Sequence, residues 1–116
     1  MTRLAFIIAL LFTAPLEDAE IVDVKNQGAV DLKAFNCQDV TRSSIISRVC
    51  YDAESRRMLI QRHAAYHQYC DVPEAARDAL LNAASMGQYF NANIKAAGRD
   101  ESGPYDCRTH KVPSDQ

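Results

Sequence analysis

The chain has 116 residues, of which 47% are hydrophobic and 24% charged, an ordinary globular composition. A domain of that size holds one modest core and gains from covalent staples. With 13 basic and 15 acidic residues the net charge is −2, which excludes a long-range pull toward nucleic acid or anionic lipid.

Residues 1–19 read as an export signal. Met1-Thr2-Arg3 is a short basic start. Leu4 to Phe12 is a continuous apolar run, suited to a signal core and shorter than the roughly 20 residues of a spanning helix. Cleavage is expected between Ala14 and Glu20, leaving no stable membrane span. The four cysteines, Cys37, Cys50, Cys70 and Cys107, all follow this segment. An even number in a short exported chain implies two disulfides in an oxidising compartment.

Residues 20–44 read as an N-terminal extension. Ile21, Val22 and Val24 precede Asn26-Gln27-Gly28, a turn signal. Val30 and Leu32 alternate with Asp31 and Lys33, as in a short strand. Phe35 and Cys37 follow.

Residues 45–70 read as three strands. Alternation puts Ile45, Ser47, Val49 and Tyr51 on one face and Ile46, Arg48 and Cys50 on the other. Asp52-Ala53-Glu54-Ser55 is a polar turn, and Met58-Leu59-Ile60 opens the second strand. His63-Ala64-Ala65 is a turn without glycine, and Tyr66 to Cys70 is the third strand. In a meander of these strands, Cys50 and Cys70 stand two strand spacings apart, roughly 9.5 Å. That exceeds the reach of a disulfide. Each therefore pairs with Cys37 or Cys107, and the favoured pairing is Cys37–Cys50 with Cys70–Cys107.

Two helices are expected over residues 71–97. Asp71 is placed to cap the first, with Pro73 in its first turn and Glu74 behind. Ala76, Ala79, Leu80, Ala83 and Ala84 share one face. Ser85 with Gln88 forms a second capping box, and Met86, Phe90 and Ile94 recur every four residues. Gly98 marks a stop. Residues 99–116 form a polar tail tied down by Cys107.

From Ile45 to about Ala97 the chain resembles the KTSC domain family, named after the C-terminal region of some lysyl-tRNA synthetases. Tyr51-Asp52, Tyr69 with Val72-Pro73, and Ala79-Leu80-Leu81 carry part of the likeness. Its most specific stretch is Ser85-Met86-Gly87-Gln88-Tyr89-Phe90-Asn91, closed by Ile94-Lys95. The family has a Tyr-x-Tyr pair where this chain has His67 and Tyr69. Met86 replaces its usual basic residue, and the Tyr that often follows Lys95 is missing. The four cysteines and the tail from Gly103 to His110 are similar to those of small exported members. The family brings no established activity; its association with the synthetase implies RNA binding.

Each possible chemistry has a structural counterpart. Nucleophilic catalysis needs a Cys or Ser beside a base, and His63, His67 and His110 are the bases. No nucleophile signature is present, and oxidised cysteines are not nucleophiles. A shared metal would need His63 and His67 on a helix, or Cys107 with His110; on a strand the first two lie roughly 13 Å apart. No cofactor or metal is therefore expected. RNA binding would use Tyr51, Tyr66 and Tyr69 with Arg42, Arg48, Arg56, Arg57 and Arg62. The alternative puts Tyr51 and Tyr69 under the helices and the arginines in solvent. For Ser85, Gly87 and Asn91 the structural roles are a helix cap, a close approach and a turn contact.

The expected architecture is α+β: a small antiparallel sheet of about three strands, two short helices on one face, and disulfide-stapled N- and C-terminal arms. It comprises a signal (1–19), an extension (20–44), a KTSC-like domain (45–98) and a tail (99–116). The expected function is a non-enzymatic binding module, secreted or periplasmic, with a protein partner in the cell envelope. The candidate binding residues are Arg48, Arg62 and His67. An RNA-binding module and a small enzyme of unknown reaction are the alternatives.

Overall fold

In a computed structural model of the chain, residues 20–95 and 104–107 are described. The expected signal, most of the tail and Gly98 lie outside them. Six strands form one mixed sheet: β1 (Ile21–Val24), β2 (Gly28–Asp31), β3 (Asn36–Asp39), β4 (Ile46–Asp52), β5 (Arg57–Arg62) and β6 (Ala65–Tyr69). Their spatial order is β2-β1-β6-β5-β4-β3. The helices are α1 (Glu74–Asn82) and α2 (Met86–Tyr89), and α2 runs into a π-helical turn over Phe90–Ile94.

This corrects the expected three-strand sheet with arms. Residues 20–44 are half of the sheet. The Asn26-Gln27-Gly28 signal makes the β1–β2 hairpin, with Asn26 at φ 65° and Gly28 at φ 95°. β1 then lies parallel to β6, Val24 beside Tyr66, so the sheet is mixed. The extension looked independent because no local pattern specifies a parallel pairing with a strand some forty residues away. Leu32, read as a strand residue, opens a 3-10 turn over Leu32–Ala34.

That turn forces the sheet to curl. Five strand spacings separate the β2 and β3 edges, roughly 24 Å in a flat sheet. The chain passes from Asp31 to Asn36 in five residue steps, at most about 18 Å when fully extended. The sheet is accordingly a half-closed barrel.

The curl and the helical layer bury the two faces of the central strands. On the convex face Ile46, Val49, Tyr51, Met58, Ile60 and Tyr69 pack with Leu80, Met86, Phe90 and Ile94 of the helical layer. Inside the curl, Val24, Val30, Leu32, Cys50, Leu59 and Tyr66 form a second cluster. The β4 alternation holds for Val49 and Tyr51 against Cys50. An irregularity between Ile46 and Arg48 brings Ile46 onto the convex face as well.

Both disulfides have the favoured pairing. Cys37 faces Cys50 across β3 and β4, and Cys70 holds Cys107. The tail segment lies beside the end of β6, where the Cys70 N–H donates to the Tyr105 carbonyl at 2.9 Å.

Candidate functional site

The family motif builds the helical layer. The Ser85 hydroxyl caps α2, accepting from the Gln88 N–H at 3.2 Å. At Gly87 a Cβ would stand 3.1 Å from Ile45 Cδ1, so the missing side chain allows the close approach. Phe90 is fully buried and meets Tyr69 edge-on at 5.8 Å. The buried Tyr51 hydroxyl donates to the Val72 carbonyl at 2.6 Å, fixing the entry to α1. Burial pushes that hydroxyl's pKa up. Pro73 occupies the cap position of α1, and Asp71, expected there, stands two residues earlier in a left-handed conformation. Asn91 is exposed on the π turn.

Arg48, Arg62 and His67 are not brought together. Arg48 points inside the curl, where it forks onto Glu20 at 2.6 and 3.1 Å and donates to the Tyr66 hydroxyl at 3.0 Å. That fork holds the Glu20 carboxyl below its ordinary pKa and raises that of Arg48. Arg62 lies on the other face, 4.9 Å over the Phe90 ring. His67 is half-buried on the same face of β6 as Tyr69.

The three tyrosines expected to form a platform for bases, Tyr51, Tyr66 and Tyr69, are all buried. The arginines expected in solvent are largely engaged. Arg42 donates to the Leu81 and Ala83 carbonyls at the end of α1, at 2.9 and 2.8 Å. Arg57 is only 3% exposed, lies 5.4 Å over Phe35 and donates to Gln68 Oε1. Among the described residues no three His, Cys, Asp or Glu side chains gather as metal ligands, and no helix is long and apolar enough to cross a membrane.

What the fold does assemble is a cleft of about 710 Å³ along β2 and the 3-10 turn. Ile21, Ala29, Val30, Ala34 and Phe35 supply its apolar wall; Asp31, Lys33, Asp52 and Arg57 supply polar groups. Ile21 is 60% exposed there. Sequence reasoning missed this site, since its walls meet only when the sheet curls. The one available signal was a run of apolar residues in the supposed extension.

Two disulfides point to an oxidising, extracytoplasmic environment. No curated protein matches the chain. Among solved structures, the crystal structure of a KTSC domain protein from Yersinia pestis is similar, with 35% identity and a TM-score of 0.51. The similarity covers 60% of this chain and 100% of that one. The KTSC domain family itself matches residues 42–97. With its motif residues placed as caps, close approach and core of one helical layer, the chain belongs to the KTSC domain family.

Proposed function

We propose that this chain is a non-enzymatic binding module, exported by residues 1–19 and working on a protein partner of the cell envelope. The observation that carries the reading is the apolar cleft beside β2, with polar groups at its margin. Concave sites with apolar walls and a few polar groups are the usual form of a binding site. Three arginines of the body serve the fold: Arg48 holds Glu20, Arg57 stacks on Phe35, and Arg42 closes α1. Export agrees with the basic start and apolar run of residues 1–12 and with the oxidised cysteines.

A photo-crosslinking residue at Ala34, in the cleft, should give a discrete adduct in the native compartment. The same residue at Gln88, exposed on α2, should not. The Ala34 adduct should vanish when Ala29→Trp fills the cleft. Equal adducts from both positions would sink the reading. Intact mass of the exported protein should show an N-terminus between residues 15 and 20 and gain four hydrogens on reduction.

A further inference from the structure

The cleft runs along a sheet edge, and the edge has a definite hydrogen-bonding pattern. Among the described residues β2 has one neighbour, β1, and pairs with it antiparallel. The Leu32 N–H donates to the Glu20 carbonyl at 2.8 Å, which makes Glu20 and Leu32 a hydrogen-bonded pair. Alternation then makes Val22 with Val30 another such pair. Ala29 and Asp31 lie between these positions, so their N–H groups and the Ala29 carbonyl point outward, away from β1. The Asp31 carbonyl instead begins the 3-10 turn. An outward row of donors and acceptors beside an apolar cleft is the arrangement that accepts an added strand, whose backbone supplies the pairing and whose alternate side chains supply selectivity.

The two faces of the hairpin specify those side chains. Toward the inside, Val30 and Phe35 form an apolar wall. On the outer face, the exposed carboxylates of Asp23 and Asp31 lie on the diagonal of the β1–β2 pair, with Ile21 and Ala29 on the other. We propose that the outer edge of β2 takes up an extended segment of a partner protein in which apolar residues alternate with basic ones. The apolar residues pack toward Val30 and Phe35, and the basic ones face Asp31 and Asp23. This inference rests on the binding-module reading and names the partner's chemistry.

The probe is acetyl-Lys-Val-Lys-Val-Lys-amide, titrated into the oxidised full chain and followed by amide NMR. The Ala29 and Asp31 amides should shift most. Ala29→Pro removes one outward donor, leaves the Val30 and Gly28 pairing to β1 in place, and should weaken binding about tenfold or more. Asp31→Asn keeps the oxygen that accepts from the Lys33 N–H; it should weaken binding about threefold and flatten its salt dependence. Because Ala29→Pro could also disturb β2, the wild-type titration decides independently.

Four results overturn the proposal: unmoved Ala29 and Asp31 amides; equal binding of acetyl-Glu-Val-Glu-Val-Glu-amide; edge amides that exchange freely only after removal of residues 108–116, giving the edge to the chain's own tail; and edge shifts that follow protein concentration alone, giving it to a second copy. If the peptide fails while Ala34 still yields its adduct, edge pairing falls and the module reading stands. If the peptide binds and Ala34 yields no adduct, edge pairing stands and the protein partner of the cell envelope falls.

Discussion

At the residue scale, the buried tyrosines anchor the body. Tyr51 is 2% exposed and spends its hydroxyl on the Val72 carbonyl. Tyr51→Phe leaves that carbonyl without this donor and should cost about 1–2 kcal/mol in chemical denaturation. Glu20 acts through charge. Its carboxyl pKa is lowered chiefly by the hydrogen bond from Arg48. The fork therefore stabilises the fold above the unperturbed carboxyl value of roughly 4.3, and the contribution is lost as pH falls through the lower folded value. Glu20→Gln should lower the denaturation midpoint at neutral pH, and the gap to wild type should close in acid; a constant gap would assign the effect to packing. The sequence made Tyr51, Ser85, Gly87 and Phe90 legible, because caps, close approaches and core positions are local properties. Arg48 and Arg57 were legible only as charges, since their partners Glu20 and Phe35 arrive by tertiary folding.

At the element scale, the β5–β6 turn is the clearest site of backbone strain. His63 and Ala64 both have positive φ, 52° and 68°, in a two-residue connection that normally uses Asn-Gly. A left-handed alanine costs roughly 1 kcal/mol, so Ala64→Gly should raise stability by up to about that amount. A matching loss would show that alanine is favoured there. In α2 the opposite logic holds. Gly87→Val places carbon against Ile45 and should destabilise by about 1–3 kcal/mol, and Ile45→Ala should recover part of that loss in a double-mutant cycle. The helices and the three central strands could be read from periodicity and turn signals. β1, β2 and β3 could not be assigned to the sheet. Four-residue strands carry little pattern, and a parallel pairing leaves no mark on neighbouring residues.

At the scale of the whole molecule, the staples differ in reach. Cys37–Cys50 closes a separation of 13 residues and Cys70–Cys107 one of 37. Loop-closure entropy then assigns about 3 and about 4 kcal/mol to them. Replacing Cys70 and Cys107 by alanine should lower the midpoint more than replacing Cys37 and Cys50. The reverse order would show that the inner pair acts through the native sheet. One further consequence comes from where these bonds sit. β3 is riveted to β4, and the tail is riveted beside β6. The β1–β2 ribbon carries no rivet; it is fastened by its short parallel pairing with β6, where the Lys25 N–H donates to the Tyr66 carbonyl, by a Gln68–Gln27 hydrogen bond, the Glu20 fork and the burial of Val24 and Val30. Under force or mild denaturant this ply peels away first, and its departure lays bare the greasy lining of Leu59 and Tyr66 while the riveted remainder still stands.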